Sequence, residues 1–489
     1  MKNSLIIIVL VTAIALAPVF SQELPKTSSA LVGTWSGSLK LGAASLRIVF
    51  TILNKDGSLS GAMDSPDQGA KGIPVSKVSL TGPLARFDVK SISAFFEGTL
   101  SDDGTKLEGY WKQSGQKFPL ALQNQRLASG SPRSPSPSAP SAPASGSGGS
   151  QEPAKPYPYT TVDVDFANAS AKISLSGTLS LPEGEGPFPA VVLVTGSGPQ
   201  NRDEELLGHK PFLVIADYLA RRGVASLRYD DRGVGASKGD FATATSFDFA
   251  ADARAGLAFL SARPEIDARR VGIVGHSEGA LIAALVGSSD PLVSFIVMLA
   301  GPGVRGDKLL LMQSAAIGRA MGMDEKSLAE ANALNEQLYD IALRPGGKAA
   351  LKAEIVSILE EKLKESLPPS RAGEASKQAE SAADQLLSPW TRTFLGLDPA
   401  ESLSILKIPA LAMNGSKDLQ VPAAQNLEAI GLALKAAGNE RYTLLELEGL
   451  NHLFQHASTG SPDEYASIPE TFAPEALAAM GDWILSASR

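Results

Sequence analysis

Two patterns of apolar and polar positions divide the chain, and the first is an alternation with a period of two. Over residues 46–52, apolar side chains recur at every second position, which is typical of a strand with one buried face. Asp-Gly pairs at 56–57 and 103–104 lie between such runs and favour tight hairpin turns. This pattern predicts a small all-β domain, a barrel or a sandwich, over residues 31–128.

Aromatic residues are available for the core of this β domain. We expect Trp35, Phe96, Tyr110 and Trp111 to supply it. The region contains no histidine and no recognisable catalytic constellation. A binding or positioning module and a purely structural appendage are therefore both compatible with its sequence.

The second pattern, after residue 159, consists of apolar runs without polar alternation. Strands of this kind are buried on both faces, as in a parallel sheet covered by helices. The segments 211–222 and 246–263 carry the apolar spacing of amphipathic helices. The pattern predicts a doubly wound α/β domain over 159–489, with strands at 190–196, 224–230, 270–275, 294–301, 409–415 and 441–449.

One connection in this domain is far too long for a simple crossover. The fourth and fifth of these strands are separated by about a hundred residues, whereas most connections have fewer than about fifteen. Residues 309–367 are rich in Ala, Leu, Glu and Lys and helical in pattern. We predict an inserted helical cap at about 304–400 that covers the carboxyl edge of the sheet and shapes a substrate pocket. A helical insertion without such a role is the alternative.

A segment of biased composition separates the two domains. Residues 129–158 are dominated by Pro, Ser, Gly and Ala, and bulky apolar residues are almost absent. Such a segment cannot bury enough apolar surface to offset its chain entropy, so we predict a flexible linker.

The N-terminus has the pattern of a targeting segment. Lys2 precedes an apolar run from Leu5 to Ala17, and small residues follow it. This pattern predicts a secretory signal peptide over residues 1–21, and therefore export to a periplasm or the cell exterior. The run is shorter than the ~20 residues that span a bilayer, which argues against the alternative of an uncleaved anchor. We expect no stable membrane insertion after cleavage.

Composition excludes several classes of function. The net charge is −8 and the basic residues are scattered, so a nucleic-acid-binding face is not expected. The chain has no cysteine, which excludes disulfides, a thiol nucleophile and thiolate metal sites. His452 and His456 have the spacing of a zinc pair, but no glutamate follows His452. We therefore expect neither a metal nor another cofactor.

The sequence GHSEG at 275–279 places Ser277 between a predicted buried strand and a predicted helix. This context is that of the G-x-S-x-G nucleophile elbow, a sharp turn that exposes a serine hydroxyl at the carboxyl edge of a sheet. Gly275 and Gly279 allow the close backbone approach that the turn needs, and the helix N-terminus lies beside the serine.

A serine needs a base to become nucleophilic at neutral pH, and the chain has four histidines. We select His452, because it follows the last predicted strand on a loop at the carboxyl edge. His456 is the alternative. His276 adjoins the serine and is expected to point away from it, and His209 precedes the first helix.

The base needs an orienting carboxylate, and Asp418 ends the turn after the strand at 409–415. The chain order Ser277, Asp418, His452 is that of α/β hydrolases. Glu448 is the rival carboxylate, and a structural turn role for Asp418 is the other alternative.

Two backbone N–H groups are candidates for an oxyanion hole. One belongs to Glu278, directly after the serine, and the other to Ser197 in the glycine-rich loop after the first strand. A phosphate-binding role for this loop is not expected, since the Walker lysine is missing. Trp390 and Phe394 are candidates for an acyl pocket, or for the core of the cap.

Seven segments give the region from about Tyr159 to the end a resemblance to bacterial α/β hydrolases of the serine aminopeptidase-like and esterase group. They are GSGPQNRDE (196–204), RYDDRGVGAS (228–237), GHSEG (275–279), GPGVRGDKLLL (301–311), SPWTRTFLGLDP (388–399), NGSKDLQVP (414–422) and GLNHLFQ (449–455). The resemblance implies a Ser-His-Asp triad and hydrolysis of carboxylic esters, often with short acyl chains. The β domain lies outside it.

Two features of these segments concern structure more than chemistry. Asn201 stands where the family commonly has aspartate, and we expect this change to alter the hydrogen bonds of its loop without affecting the triad. Asp231 and Arg232 are expected to pair with backbone or with the loop at 196–204 and to stabilise it.

Three functions follow as hypotheses. The first is a serine esterase that cleaves a small-molecule ester through an acyl-enzyme. The second is an aminopeptidase-like amide hydrolase, which requires an anionic site for the free amine of its substrate. The third is a non-catalytic exported binding protein, whose function would not depend on Ser277.

Overall fold

The computed structural model describes two compact units. The described residues are 31–124, except 42–43, 56–57, 66–69, 82–83, 93, 102–105 and 114–115, and 151–488, except 367–372 and 374. The predicted signal peptide, most of the predicted linker and both Asp-Gly turns lie outside them. None of the helices within the described residues combines the length and apolar character needed to cross a membrane.

The first unit is the predicted all-β domain. In the described part of this unit, nine antiparallel strands form one barrel-like sheet, nearly closed, in the order β4-β3-β2-β1-β9-β8-β7-β6-β5. The strands are β1 Gly33–Leu41, β2 Ala44–Lys55, β3 Ser58–Ser65, β4 Ala70–Val75, β5 Lys77–Thr81, β6 Leu84–Val89, β7 Ala94–Leu100, β8 Lys106–Gln113 and β9 Gln116–Asn124. Strands β1 to β4 and strands β5 to β9 each pair with their neighbours in sequence, as short hairpin connections require. Strand β1 also pairs with β9, which joins the two sets and leaves β4 and β5 at the two edges of the sheet.

An aromatic cluster fills the interior of this sheet. Phe50 lies 5.0 Å from Phe87 and 6.1 Å from Trp111 between ring centroids, and Trp35 is fully buried. Tyr110 was expected in this core, but it is 46% exposed. The reason is the strand period of two, because Trp111 takes the inward position and its neighbour must face the other side.

The second unit contains an eight-stranded sheet in the order β10-β11-β13-β12-β14-β15-β16-β17. Its strands are β10 Thr160–Asn168, β11 Ile173–Leu181, β12 Phe188–Val194, β13 Ala225–Tyr229, β14 Ile266–His276, β15 Phe295–Leu299, β16 Ala410–Gly415 and β17 Tyr442–Leu447. From β13 to β17 in the sheet order all pairs are parallel. All six strands predicted for this domain are confirmed.

The antiparallel hairpin of β10 and β11 was not predicted. Along β10 most residues are exposed and many are polar, because this strand lies at the edge of the sheet. An edge strand lacks the continuous apolar run by which the central strands were recognised.

Helices cover both faces of the sheet. Alternate residues of β12 face opposite sides: Val191 and Leu193 pack towards α1 and α11, whereas Val192 packs towards α2 and α3. The covering helices are α1 Pro211–Arg221, α2 Ser246–Ser261, α3 Glu278–Gly287, α10 Ala423–Ala436 and α11 Pro474–Ala487. Burial on both faces explains why the central strands carry almost no polar residues.

Within the described residues between β15 and β16, six α-helices follow one another, which confirms the predicted helical cap. They are α4 Gly306–Ala320, α5 Glu325–Leu343, α6 Lys348–Ser366, α7 Ala375–Leu386, α8 Pro389–Gly396 and α9 Pro399–Leu403. The insertion leaves the sheet at the carboxyl end of β15. It therefore begins at the edge where the loops that follow β12, β14 and β16 are found.

Candidate active site

The turn at Ser277 has the geometry of a nucleophile elbow. Ser277 lies between the end of β14 and the start of α3, with φ 54° and ψ −117°, a conformation that costs a non-glycine residue about 1–3 kcal/mol. A Cβ on Gly275 would come well under 3.0 Å from the carbonyl of Gly279, and one on Gly279 equally close to that of Val194. The two glycines are thus required by the tight packing of helix against strand.

Asp418 and His452 are hydrogen-bonded to each other. The Nδ1 atom of His452 lies 2.8 Å from Oδ2 of Asp418. The other carboxylate oxygen accepts the N–H groups of Gln420 and Val421, each at 2.8 Å. Both side chains are buried, so this carboxylate has a fixed orientation and holds the imidazole with its Nε2 atom free for another partner.

The residues that compete with His452 and Asp418 for the roles of base and carboxylate lie away from Ser277. His456 is half exposed and pairs with Glu470 and Glu475, each at 2.9 Å. Glu448 is exposed in the turn directly after β17. His209 is buried, and its Nδ1 atom lies 3.0 Å from the hydroxyl of Thr471. The structure therefore brings none of the three into the cavity that contains Ser277.

The loop after β12 brings Ser197 beside the start of α3. Glu278 is the first residue of α3, so its backbone N–H has no partner within the helix. Gly198 adopts φ 97°, which a side chain would oppose. In the described part of the chain, no acceptor is found for the backbone N–H of either Ser197 or Glu278. Both groups are available to a developing oxyanion.

Buried carboxylates of the RYDDRGVGAS segment fix this loop. Asp231 accepts hydrogen bonds from the hydroxyl of Thr195 at 2.8 Å and from the N–H of Gln200 at 2.9 Å. Asp230 pairs with Arg202 at 2.8 Å. The expectation that Asp231 supports the loop agrees with these bonds.

Arg232 and Asn201 have other partners. Arg232 donates to the backbone carbonyl of Asp248 at 2.7 Å, as one of the two expected alternatives, and pairs with Asp252 of α2 at 2.7 Å. Both partners lie on α2, so Arg232 supports this helix and not the loop at 196–204. The side-chain oxygen of Asn201 accepts the N–H groups of Asp203 and Glu205 at 3.0 and 3.2 Å. Asn201 therefore closes a local turn within the loop.

The side chain of Glu278 points away from the serine into a buried polar cluster. Its carboxylate accepts a hydrogen bond from Ser246 at 2.6 Å and from the indole N–H of Trp390 at 2.9 and 3.0 Å. Burial raises the pKa of this carboxyl, although hydrogen bonds from Ser246, Trp390 and Ser197 oppose the effect. This role was not predicted, but GHSEG contained its signal, a carboxylate directly after the serine.

One cavity of about 140 Å³ contains both Ser277 and His452. Its apolar wall includes Trp390 and Phe394 of α8, whose rings stack at 5.1 Å. The other apolar side chains on the wall are Leu206, Leu309, Leu310, Val421 and Leu453. Three glutamines add neutral polar groups, namely Gln200, Gln313 and Gln420. Such a surface suits an uncharged, mainly apolar ligand.

His276 does not point away from the site, as the sequence had suggested. It is buried, lines the cavity and lies 4.8 Å from His452 between ring centroids. Among the described residues, no group of three or more His, Asp or Glu side chains is arranged to hold a metal ion.

The sheet order, the strained serine turn and the helical cap define the class of this unit as an α/β hydrolase. Residues 210–355 match the family model described as Hydrolase_4: Serine aminopeptidase, S33, and the resemblance identified from the sequence is thereby confirmed.

Among curated proteins, the chain is similar to Esterase EstD of Thermotoga maritima. The two are 29% identical over 297 residues, which cover 59% of this chain and 60% of that protein. Among solved structures, the esterase Pf2001 of Pyrococcus furiosus is 17% identical, with 68% of this chain and 94% of that one covered and a TM-score of 0.41. The α/β hydrolase GrgF of Penicillium is 17% identical, with 67% and 99% covered and a TM-score of 0.42.

Proposed function

We propose that the protein is a serine esterase that hydrolyses small carboxylic esters through an acyl-enzyme. The observation that carries the proposal is the Asp418–His452 pair, which opens into the same cavity as a serine held on a strained strand-to-helix turn. The similarity to Esterase EstD supports ester hydrolysis.

In the proposed reaction, Ser277 Oγ attacks the ester carbonyl while His452 Nε2 takes the hydroxyl proton. Asp418 stabilises the imidazolium that forms. The N–H groups of Glu278 and Ser197 bind the oxyanion. Collapse of the tetrahedral intermediate breaks the bond to the alcohol, which leaves with the proton of His452. Water then repeats the sequence on the acyl-enzyme and releases the acid.

The charge of the cavity favours esters over peptides with a free N-terminus. Glu204 is the single carboxylate that lines it within the described residues. This group already accepts the N–H of Gly196 at 2.7 Å and pairs with His276 at 2.9 Å. A free ammonium group would thus find no available carboxylate, which disfavours the aminopeptidase-like alternative.

Hydrolysis of two substrate series tests the proposal. The full chain is assayed with p-nitrophenyl esters of increasing acyl length and with aminoacyl-p-nitroanilides. We expect turnover of the esters, highest for short chains because the cavity is small, and at least a hundredfold lower kcat/KM for the anilides. Preference for the anilides would replace the esterase proposal by the peptidase, and lack of turnover in both series would contradict both.

Trp390 is proposed to limit the length of the acyl chain. Replacing it with alanine removes a wall of the cavity, and each methylene accommodated in an apolar pocket contributes about 1–3 kcal/mol. We expect the ratio of kcat/KM for octanoate over butyrate esters to rise at least tenfold in Trp390→Ala. Trp483→Ala is the matched control, because Trp483 lies on α11 and donates to Thr443, away from the cavity. An unchanged ratio in Trp390→Ala would contradict this role.

We also propose export, supported by the charged and apolar pattern at the N-terminus. Expression of the full gene in a bacterial host, followed by mass measurement of the protein from the periplasm or medium, is expected to show loss of residues 1–21. A cytoplasmic product that retains residues 1–21 would contradict the proposed export.

A further inference from the structure

A second histidine lies directly beside the proposed triad. Nδ1 of His276 is 2.9 Å from Oε1 of Glu204, and Nε2 is 2.9 Å from the backbone carbonyl oxygen of His452. The carbonyl can only accept a hydrogen bond. Oε1 of Glu204 also accepts the N–H of Gly196 at 2.7 Å. Two acceptors at opposite ring nitrogens require a proton on each, so the geometry describes His276 as an imidazolium.

The charges around His276 fit this state. Glu204 is 4% exposed. Its backbone adopts φ 50°, which is unfavourable for a residue with a side chain, in the position where its carboxylate is buried beside His276. Asp418 adds a second negative charge nearby. Among the described residues, the other titratable neighbour of the ring is His452, at 4.8 Å between ring centroids. Glu204 also lies near the carboxyl of Asp231, whose pKa is raised mainly by burial and in part by the charge of Glu204. On one side of the ring, the described residues that share a small pocket with His276 and Glu204 are apolar, namely Pro211, Phe212, Ile215, Leu299, Leu453 and Phe472. On the other side the ring lines the cavity of Ser277, where the further polar side chains are uncharged apart from His452.

The pair connects three parts of the candidate site. Glu204 holds the loop of the proposed oxyanion donor through Gly196, His276 directly precedes the nucleophile, and its Nε2–H fixes the backbone of His452. We propose that His276, as the buried partner of Glu204, is a positioning residue that sets His452 and the oxyanion loop relative to Ser277. This proposal rests on the proposed function.

The protonation of His276 makes the arrangement sensitive to alkaline pH. Burial lowers its pKa, but the charge and hydrogen bond of Glu204 and the carbonyl of His452 outweigh burial, so the pKa lies above its ordinary value. A raised pKa means that the stabilisation is complete below about 6.5, the unfolded value, and is lost as pH rises through the folded value. Loss of the proton removes one of the two hydrogen bonds.

Nuclear magnetic resonance tests the charge without any substrate. The chain has only four histidines, so ring nitrogens labelled with 15N can be assigned by single substitutions. We expect both nitrogens of His276 to carry protons at pH 7.5, and the Glu204→Gln variant to lose one of them at lower pH than the wild type. A neutral His276 at pH 7.5 in the wild type would overturn the proposal.

Kinetics test the positioning role. We expect His276→Ala to lower kcat for a short ester about 10–100-fold, the effect of a shift of about 1 Å in a catalytic group, with KM changed less than threefold. Glu204→Gln, which conserves size, is expected to move the alkaline decline of kcat at least one pH unit lower. His456→Ala is the matched control, since His456 also pairs with carboxylates but lies outside the cavity. Unchanged kcat and pH profile in both cavity variants would contradict the proposal.

One further measurement separates failure of this proposal from failure of the esterase assignment. Nδ1 of His452 lies 2.8 Å from Oδ2 of Asp418, and we expect a proton in this hydrogen bond to give a low-field resonance whether or not the enzyme turns over the esters. We expect this resonance to shift in Glu204→Gln and to stay in place in His456→Ala. A shift without ester turnover would reject the esterase and retain the positioning role, whereas turnover without a shift would reject the positioning role alone.

Discussion

Ser277→Ala is expected to lower kcat for short p-nitrophenyl esters by about a million-fold, because the variant has no hydroxyl to form the acyl-enzyme. The backbone conformation at this position costs alanine about as much as serine, so stability is expected to change little. Measurement requires steady-state rates at high enzyme concentration, together with mass spectrometry of the protein after treatment with a fluorophosphonate. The wild type is expected to gain one adduct, on the peptide that contains Ser277, and the variant none.

The serine at the other end of the same helix provides the control. Ser288 follows α3, and its hydroxyl donates to the carbonyl of Leu285 at 3.1 Å. Ser288→Ala should conserve both turnover and labelling. If Ser277→Ala retained more than a hundredth of the wild-type rate, another nucleophile would have to be sought.

Asp418→Asn is expected to reduce kcat about ten-thousand-fold while the fold is conserved. An amide at this position can present an N–H to Nδ1 of His452, and the ring would then carry its proton on Nε2, where it cannot take one from Ser277. The amide oxygen can still accept the N–H groups of Gln420 and Val421. We therefore expect KM and the thermal midpoint to change much less than kcat.

The matched control variant is Glu448→Gln. From the sequence, Glu448 is the alternative to Asp418 as the carboxylate that orients His452. Glu448 is exposed, so its neutralisation should leave kcat within about twofold of the wild type, as for surface charges in general. The measurement is kcat between pH 6 and 9 for both variants. Loss of activity in Glu448→Gln together with an active Asp418→Asn would reverse the assignment of the acid.

Most of the fold followed from the sequence, since central strands and amphipathic helices have distinct periods. The buried strands were located to within a few residues, whereas the edge strand β10 was missed because its exposed positions resemble a loop. Tyr110 was misplaced for a related reason: an aromatic residue indicates a strand but does not indicate which face it occupies.

For the site, chain order was sufficient to nominate Ser277, Asp418 and His452, and the last two lie in hydrogen-bonding contact. The partners of His276 and Glu278 could not be derived in this way. His276 pairs with Glu204 and Glu278 pairs with Trp390. Both partners come from distant segments, and neither is at a fixed spacing from the serine motif in the sequence. Side-chain contacts of this kind require three-dimensional packing.

The hydrogen bond between Trp390 of the helical cap and Glu278 at the start of α3 limits how independently the cap and the sheet with its covering helices can evolve. The indole forms part of the cavity wall, and the carboxylate belongs to the residue whose backbone N–H is the proposed oxyanion donor. A cap segment without tryptophan at position 390 would leave the buried carboxylate of Glu278, next to the nucleophile, with fewer donors, although Ser246 would still donate to it. A change at position 390 that admits a longer acyl group would therefore also alter the surroundings of Glu278, so we expect acyl-chain preference and catalytic rate to change together in such variants.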